Sequence, residues 1–315
     1  MREEVVGIDT PTHTLAATFI HPKSQPCKAL IVMFPGSGPV DRNENLPSFS
    51  LNIFNALAES FAQQGYASVR YDKRGCGASG GDYISAGHSD FVSDAVRVAL
   101  HAKQLDGDAN TPLMLLGHSE GAAIAVQVAE LVPVNGLLLL CPFSRPMREV
   151  LLQQAKNRTA EIKAMTGVSG ALARSFVRIR GGFDGMQRKF LQRMENSNAD
   201  TVVHAKVMLN AKWYREMLAL DIRKILQNVH TPTFAIGGGK DAQCDHSDTT
   251  ALHQLITNAE ITTHIEDNLT HILRCDDKPK GTGRYPELAK EPIADLVAAR
   301  CCEWLEQQST KHERT

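Results

Sequence analysis

The sequence lacks the features that mark secreted, membrane-spanning and disulfide-stabilised proteins. Its 315 residues begin MREEVVGIDT, without the apolar core of a signal peptide, and no apolar stretch approaches the ~20 residues of a membrane-spanning helix. The cysteines are odd in number and include no pair separated by two residues: Cys27, Cys76, Cys141, Cys244, Cys275, Cys301 and Cys302. This usage fits a reducing compartment better than a disulfide framework, so we expect a cytoplasmic location.

A strong excess of charge of either sign is also missing. The 34 lysines and arginines nearly balance the 35 aspartates and glutamates, which leaves a net charge of -1. The composition therefore gives no reason to expect a nucleic-acid or membrane partner, and it leaves the oligomeric state open. There is no HExxH motif and no dense cluster of histidine and aspartate, so we expect neither a metal nor another cofactor.

Strand-like and helix-like segments alternate through most of the chain. Apolar runs typical of buried strands occur at 28–36, 67–72, 112–117, 136–141, 232–238 and 260–267. Amphipathic or alanine-rich segments typical of helices occur at 49–65, 90–105, 121–132, 248–257 and 291–308. Alternation on this scale predicts an α/β fold with a mostly parallel sheet and helices on both faces.

The alternation stops between residues 145 and 228. This segment has helical patterns and glycine breaks but no convincing strand, so we interpret it as a helical cap inserted into a core of residues 1–144 and 229–315. The cap carries 16 lysines and arginines against 7 acidic residues, a net of +9, which leaves -10 for the rest of the chain. A basic cap would steer an anionic substrate. The alternative is a solvated helical surface attracted to its own acidic body.

A serine flanked by two glycines lies between a leucine-rich run and an alanine-rich run. The motif is Gly117-His118-Ser119-Glu120-Gly121, with a predicted strand before it and a predicted helix after it. A G-x-S-x-G sequence at a strand-to-helix turn is typical of a nucleophile elbow, which exposes the serine hydroxyl above the sheet edge. The alternative is that Ser119 only caps the helix.

A serine nucleophile requires a base, and the base requires a carboxylate that orients it. Asp241 and His271 each follow a predicted late strand, in the chain order that this architecture uses. The rival base is His246, which precedes the last strand, and the rival acids are Asp245 and Asp267. We interpret His118, beside the nucleophile, as a structural residue.

An acyl-transfer site also requires N–H groups that bind the developing oxyanion. One predicted donor is the backbone N–H of Glu120, which follows the nucleophile. The second donor belongs to the loop after an early strand, where Ser37 is the first choice and Gly38 the second. Pro39 has no N–H and is excluded. In the cap, Trp213, Tyr214 and Met217 are candidates for lining an acyl pocket, with packing in the cap core as the alternative.

Three motifs together resemble the α/β-hydrolase superfamily, and most closely a branch of bacterial carboxylesterases. They are GSGPVDR at residues 36–42, RYDKRGCGASGG at residues 70–81 and GHSEG at residues 117–121. The resemblance implies the α/β-hydrolase fold, a Ser-His-Asp triad and the hydrolysis of carboxylic esters. It also implies that four motif residues hold loops near the site: Asp41, Arg42, Asp72 and Arg74. The sequence departs from the pattern in a long polar loop at residues 275–293, which is expected to flank the pocket mouth.

These observations predict a serine hydrolase that cleaves a small-molecule ester or thioester through an acyl-enzyme. Ser119 attacks, His271 transfers the proton, Asp241 orients His271, and the N–H groups of Ser37 and Glu120 bind the oxyanion. A thioesterase or an acyltransferase would use the same triad. A catalytically silent binding protein on a hydrolase fold is the alternative from another class.

Overall fold

The structure is a computed structural model that describes residues 2–22, 26–108, 110–167, 170–172, 174–175 and 182–312. Its centre is an eight-stranded sheet in the order β1-β2-β4-β3-β5-β6-β9-β10. The strands are β1 (Arg2–Asp9), β2 (Thr14–His21), β3 (Leu30–Phe34), β4 (Ala67–Tyr71), β5 (Leu113–His118), β6 (Gly136–Leu140), β9 (Thr233–Gly238) and β10 (Ile261–Glu266). The six strands from β4 to β10 in this order run parallel, so the predicted mostly parallel sheet is confirmed.

Helices cover both faces of the sheet. They are α1 (Ile53–Gln63), α2 (His88–Asp106), α3 (Glu120–Ala129), α4 (Met147–Ala164), α5 (Gly182–Glu195), α6 (Ala211–Ala219), α7 (Ile222–Gln227), α8 (His246–Leu255), α9 (Tyr285–Leu288) and α10 (Asp295–His312). The apolar faces of α1 and α10 pack on one side of the sheet, and those of α2, α3 and α8 pack on the other. The central strands β3, β5 and β6 are buried along their whole length, which explains their continuous apolar sequences.

Two pairs of strands depart from the sequence expectations. The antiparallel pair β1–β2 extends one edge of the sheet and was not predicted. The segment 145–228, expected to have no strand, contains the antiparallel hairpin β7 (Thr201–His204) and β8 (Val207–Asn210). Its turn residues Ala205 and Lys206 both have positive φ, at 49° and 68°, as a tight two-residue hairpin requires. Residues 168–169, 173 and 176–181 of the predicted cap lie outside the described residues.

The parallel strands bring four loops to one edge of the sheet. The segments that follow β3, β5, β9 and β10 all leave at the carboxyl ends of neighbouring strands. This edge is where open parallel sheets place their binding sites. Within the part of the chain that the structure describes, no helix is both long and apolar enough to cross a membrane.

Candidate active site

Ser119 lies at the sharp turn between β5 and α3. Its backbone has φ 55° and ψ -115°, an unusual conformation for a residue other than glycine. Both motif positions must be glycine because neighbouring backbone lies too close for a side chain. A Cβ on Gly121 would clash with the carbonyl oxygen of Phe34, and a Cβ on Gly117 would clash with the carbonyl oxygen of Gly121. The Ser119 N–H donates to the carbonyl of Leu140 at 2.9 Å, which ties the turn to β6. The backbone therefore has the form expected of a nucleophile elbow.

His271 and Asp241, 30 residues apart in the chain, form a buried hydrogen-bonded pair. The distance from His271 Nδ1 to Asp241 Oδ2 is 2.7 Å, and both side chains are almost fully buried. The other oxygen of Asp241, Oδ1, accepts from the backbone N–H groups of Gln243 and Cys244 at 2.7 and 2.8 Å. These bonds fix the carboxylate in the loop after β9, so it can hold the imidazole in one orientation.

A tight turn after β10 presents His271. The Thr270 N–H donates to the carbonyl of Arg274 at 2.9 Å, and Leu273 has a positive φ of 57°. The buried guanidinium of Arg274 donates to the carbonyls of Ile272, Glu291 and Leu51. Arg274 thus joins this turn to two other segments and immobilises the backbone around His271.

The rival residues lie elsewhere. The side chain of His246 is 48% exposed at the start of α8. Asp245 is the N-cap of that helix, where it accepts from the Ser247 N–H and pairs with Lys280. Asp267 follows β10, but the carboxylate that contacts His271 is that of Asp241. The structure brings His271 together with Asp241 and with none of these three residues.

The two predicted oxyanion donors lie beside Ser119. Ser37 and Glu120 both border the same cavity as Ser119 and His271. Glu120 is the first residue of α3, where a backbone N–H has no partner within the helix. The N–H of Gly36 is already used, because it donates to Glu44 Oε1 at 2.6 Å. This contact leaves Ser37 as the next N–H along the loop.

His118 makes more contacts than a packing residue requires. Its Nδ1 lies 2.9 Å from Glu44 Oε2 and 3.1 Å from Glu44 Oε1, and its Nε2 lies 2.9 Å from the carbonyl oxygen of His271. Both side chains are buried. Burial by itself would lower the pKa of His118, but the charge and hydrogen bond of Glu44 outweigh it and raise that pKa above its usual value. Glu44 was not recognised in the sequence, because its partner is 74 residues away.

The Glu120 side chain is the centre of a second buried cluster. It accepts from Lys73 Nζ at 3.0 Å, lies 3.2 Å from His88 Nδ1, and accepts from the indole N–H of Trp213 at 2.5 Å. Burial would raise the pKa of Glu120, but the charge of Lys73 and the bond to His88 hold it well below its usual range. The carboxylate is therefore ionised, and it links the helix after the nucleophile to α6.

A cavity of about 340 Å³ lies above Ser119. One wall is formed by the loop after β3 and by residues near His271, the other by α4 and α6. Most of the lining side chains are apolar: Val40, Leu46, Phe49, Leu51, Phe143, Met147, Val150, Leu151, Trp213, Tyr214, Cys244, Ile272 and Tyr285. Gln154 and Gln243 add uncharged polar groups. Among the described residues, no lysine or arginine lines this cavity, which suits an uncharged ligand.

The three residues of α6 that were candidates for lining the pocket, two aromatic residues and a methionine, lie in different places. Trp213 and Tyr214 line the cavity, although the indole N–H of Trp213 is directed at Glu120. Met217 is fully buried in the core cluster and is absent from the cavity lining. Met217 lies one helical turn after the other two, on the same side of α6, and it packs in the core instead of at the cavity.

Three of the four motif residues expected to hold loops form charged pairs. Asp72 accepts from the backbone N–H and the guanidinium of Arg42 and from the Ala78 N–H, so it joins the two motif loops. Burial would raise the pKa of Asp72, but these bonds lower it below its usual value.

The other two motif residues hold their loops through separate contacts. Arg74 forms a two-pronged pair with Asp94 on α2, and Asp41 accepts from the N–H groups of Asn43 and Asn45. From the loop at 275–293, Tyr285 borders the cavity.

One group of potential metal ligands occurs at the site. Ligand atoms of His118, Cys141 and His271 lie within 4.8 Å of one another. Both ring nitrogens of His118 are engaged with Glu44 and with a backbone carbonyl, and Nδ1 of His271 faces Asp241. Because His118 has no ring nitrogen left for a metal ion, the contacts of this group favour a hydrogen-bond network over a metal site.

Comparison with known proteins identifies the family. Residues 50–278 match the Hydrolase_4 family, described as serine aminopeptidase, S33. The chain belongs to this hydrolase family, and its fold is the α/β-hydrolase fold.

The individual proteins that match this chain have low sequence identity to it. Esterase EstD of Thermotoga maritima is 24% identical over 267 residues, which cover 84% of this chain and 59% of that protein. The chain therefore spans about three fifths of the length of this curated relative. The structure of Est1E from Butyrivibrio proteoclasticus with bound ferulic acid has a TM-score of 0.61 and 18% identity, over 96% of this chain and 98% of that one. Proline iminopeptidase of Mycobacterium smegmatis has a TM-score of 0.62 and 14% identity, over 98% of this chain and 100% of that one.

Proposed function

We propose that the protein is a serine esterase that hydrolyses small carboxylic esters with Ser119, His271 and Asp241. The observation that carries the proposal is the buried bond of 2.7 Å between His271 Nδ1 and Asp241 Oδ2, at the border of the cavity that contains Ser119. A carboxylate bound to Nδ1 leaves Nε2 of the imidazole as the proton acceptor, which is the arrangement that a serine nucleophile requires.

The reaction proceeds through an acyl-enzyme. His271 Nε2 takes the proton of the Ser119 hydroxyl as its oxygen attacks the ester carbonyl, and the imidazolium is stabilised by Asp241. The backbone N–H groups of Ser37 and Glu120 bind the oxyanion of the tetrahedral intermediate. His271 then donates its proton to the departing alcohol. A water molecule releases the acid by the same steps, with His271 again as the base.

One feature of the cavity and two relatives favour an ester over a peptide with a free amino terminus. An aminopeptidase needs a carboxylate that is available to bind the substrate ammonium group. The two carboxylates that line the cavity, Glu44 and Glu120, already have buried partners: His118 and the Gly36 N–H for the first, and Lys73, His88 and Trp213 for the second. EstD and Est1E carry esterase names, and the Est1E structure contains ferulic acid, an aromatic carboxylic acid. Both relatives support ester chemistry.

The lining of the cavity indicates an uncharged substrate with apolar substituents. Apolar side chains flank Ser119 on both sides, from the loop at Val40–Leu51 and from Phe143 to Leu151. Without a lysine or arginine among the described lining residues, an anionic acyl group would lose its hydration without gaining a partner. We therefore assign the substrate to neutral esters of aliphatic or aromatic acids.

We also propose that residues 145–228 act as the cap of a core formed by 1–144 and 229–315. Two ion pairs attach this segment to the core: Arg145 with Asp248, and Lys212 with Asp90. Met147 and Leu151 on α4 and Tyr214 on α6 supply part of the cavity lining. The cap therefore contributes to selectivity for the acyl group together with the loop at Val40–Leu51, and the bond-breaking groups lie in the core.

The Ser119→Ala variant tests the proposal. It should reduce kcat for p-nitrophenyl esters by on the order of 10⁴–10⁶-fold, with an unchanged circular dichroism spectrum and melting temperature. A fluorophosphonate probe should label the wild type at Ser119 and leave the variant unlabelled. A wild type that the probe does not label would favour a silent binding protein. A variant that keeps more than about a tenth of wild-type kcat would remove Ser119 from the mechanism.

A thioesterase or an acyltransferase would use the same acyl-enzyme, so the leaving group and the acceptor must be tested directly. We would compare p-nitrophenyl esters of graded length with acyl-CoA substrates, in the presence and absence of an added alcohol. An ester preference, with free acid as the product, would support the esterase. The cytoplasmic location remains a prediction, which cell fractionation would test.

A further inference from the structure

We propose that the buried Glu44–His118 pair is a positioning device that aligns the oxyanion loop and the proposed base with Ser119. Its inner member, His118, carries a positive charge at neutral pH. The inference rests on the proposed function, because its purpose is to place groups for that reaction. It concerns two residues that neither attack the substrate nor transfer its proton.

The contacts of the pair reach three separate segments. Glu44 Oε1 accepts from the Gly36 N–H at 2.6 Å, which holds the loop that carries Ser37. His118 is the last residue of β5, directly before Ser119. Its Nε2 lies 2.9 Å from the carbonyl oxygen of His271, in the turn that presents the proposed base. One ion pair thus connects the nucleophile, the base and an oxyanion donor.

The hydrogen-bond partners favour a positive charge on His118 opposite an ionised Glu44. Both ring nitrogens face acceptors: Nδ1 faces the Glu44 carboxylate, and Nε2 faces a backbone carbonyl, which can only accept. An imidazole that donates from both nitrogens is an imidazolium. Glu44 and His118 are only 2% and 4% exposed, so water cannot replace either partner.

The backbone conformation of Glu44 supports a specific role for its side chain. Its φ is 63°, in the left-handed region that is unfavourable for a residue other than glycine. The Glu44 N–H donates to the carbonyl of Asp41 at 3.0 Å, and the Asp41 N–H donates to the carbonyl of Asn45 at the same distance. The loop is therefore folded into an unfavourable conformation that directs the carboxylate inward at Gly36 and His118.

The other ionisable groups around His118 are consistent with its charge. They are Asp241 after β9, His271 after β10, whose ring centroid lies 5.0 Å away, and Cys141 after β6, and the buried Arg274 interacts with the charge of Glu44. When His271 gains a proton during the reaction, Asp241 balances that charge. Glu44 must then balance His118, since a second unpaired imidazolium at this distance would oppose the proton transfer.

The pair has a definite pH dependence. The pKa of His118 is raised above its value in the unfolded chain, so the stabilisation is fully present at pH below that unfolded value. It is lost as the pH rises through the raised pKa, because deprotonation leaves Glu44 as a buried charge without its partner. We therefore expect kcat of the wild type to fall on the alkaline side as this proton leaves.

Two substitutions of Glu44 test the role. Glu44→Ala removes every contact and should lower kcat per active site by about 10–100-fold with KM within about threefold, since oxyanion placement affects the transition state. Glu44→Gln keeps the shape, with its carbonyl accepting from Gly36 and its amide donating to a neutral His118. It should recover kcat to within about tenfold of the wild type and lose the alkaline decline. Active sites are counted by stoichiometric fluorophosphonate labelling.

A matched control separates positioning from stability. Asp94→Asn neutralises a similarly buried carboxylate on α2, which pairs with Arg74 away from the cavity lining. It should lower the melting temperature but leave kcat per active site unchanged. A Glu44→Ala variant with wild-type kcat per active site would overturn the inference, and so would a Glu44→Gln variant that keeps the wild-type alkaline decline.

The ionisation state of His118 can be measured without an activity assay. In ¹⁵N-histidine-labelled protein at pH 7, both nitrogens of His118 should give the shifts of a protonated imidazolium, assigned with a His118→Asn variant. A neutral His118 in the wild type would refute the charged pair. If the wild type cleaves no ester, the proposed function fails and this spectrum still decides the ionisation of the pair.

Discussion

At the scale of single residues, three of the twelve histidines differ in what their imidazoles face: His118, His246 and His271. His271 faces a buried carboxylate on one side and the cavity of Ser119 on the other. His246 is half exposed at the start of α8, and His118 is held by Glu44. Of these three, His271 alone has contacts that suit a base that must both accept and return a proton.

We therefore expect His271→Ala to be nearly as damaging as Ser119→Ala, at on the order of 10⁴–10⁶-fold in kcat. His246→Ala should remain within about twofold of the wild type, because its side chain reaches solvent and has no contact with the cavity. Steady-state kinetics on one p-nitrophenyl ester would measure both. An inactive His246→Ala enzyme would transfer the role of base to that residue.

Asp241→Asn should be less damaging than either change. The aspartate orients His271 and stabilises its charge but transfers no proton, so we expect a loss on the order of 10⁴-fold in kcat. An asparagine can still accept from the N–H groups of Gln243 and Cys244, so the loop should keep its structure. Kinetics and thermal melting of the same preparation would measure both effects. A loss as large as that of Ser119→Ala would assign Asp241 a larger part in the reaction.

At the scale of elements, the turn from β5 to α3 depends on two missing side chains. Gly121 lies inside a helix, where alanine is normally more favourable by about 0.5–1 kcal/mol. Here the added methyl group would meet the carbonyl of Phe34 on the neighbouring strand. Packing overrides helix propensity at this position, which explains a glycine in an alanine-rich sequence.

Gly121→Ala should therefore destabilise the protein by about 1–3 kcal/mol or more, as overpacking does. The matched control is Gly185→Ala in α5, where an added Cβ would meet nothing within 4 Å. This control should be neutral or stabilise the protein by up to about 1 kcal/mol. Denaturant unfolding of both variants would test the pair of expectations, and a stabilised Gly121→Ala protein would contradict the close approach.

At the scale of the whole molecule, the charge is divided unevenly. Residues 145–228 carry a net +9 and the remainder -10. Part of the basic charge is paired. Arg145 pairs with Asp248 and Lys212 with Asp90, both across the two parts, and Arg158 pairs with Glu161 inside residues 145–228. Since no lysine or arginine among the described residues borders the cavity, the basic segment offers no direct partner to an anionic substrate.

We expect kcat/KM for a hemisuccinate ester and for a neutral ester of equal length to respond to salt alike, within about twofold. Raising the ionic strength from 0.01 to 0.15 M shortens the Debye length from roughly 30 to 8 Å, which would abolish long-range steering. A fall with salt for the anionic ester alone would show that the basic cap attracts its substrate. The neutral ester serves as the control for general effects of salt.

The sequence by itself determined the central sheet and the order of the three proposed catalytic residues. Buried parallel strands need continuous apolar runs, and the turns at their ends need glycines and polar residues, so β3, β5, β6 and β9 could be located locally. Ser119 and Asp241 could be found because each follows such a strand closely, and His271 because it follows β10, a half-buried strand that the sequence also predicts. The hairpin β7–β8 was missed, because its strands are only four residues long and half exposed, so their apolar runs of two and three residues are too short to indicate strands.

Only the tertiary structure decided which side chains meet. Glu44 and His118 are 74 residues apart, Lys73 and Glu120 are 47 apart, and Trp213 and Glu120 are 93 apart. Local patterns carry no information about such pairs, because they form where loops from different strands converge. The structure likewise placed Trp213 and Tyr214 at the cavity and Met217 in the core, although all three lie in one short helix. The physical reason is that residues three and four apart share one face of a helix, so the sequence places all three together and only the surrounding elements determine which of them borders the cavity.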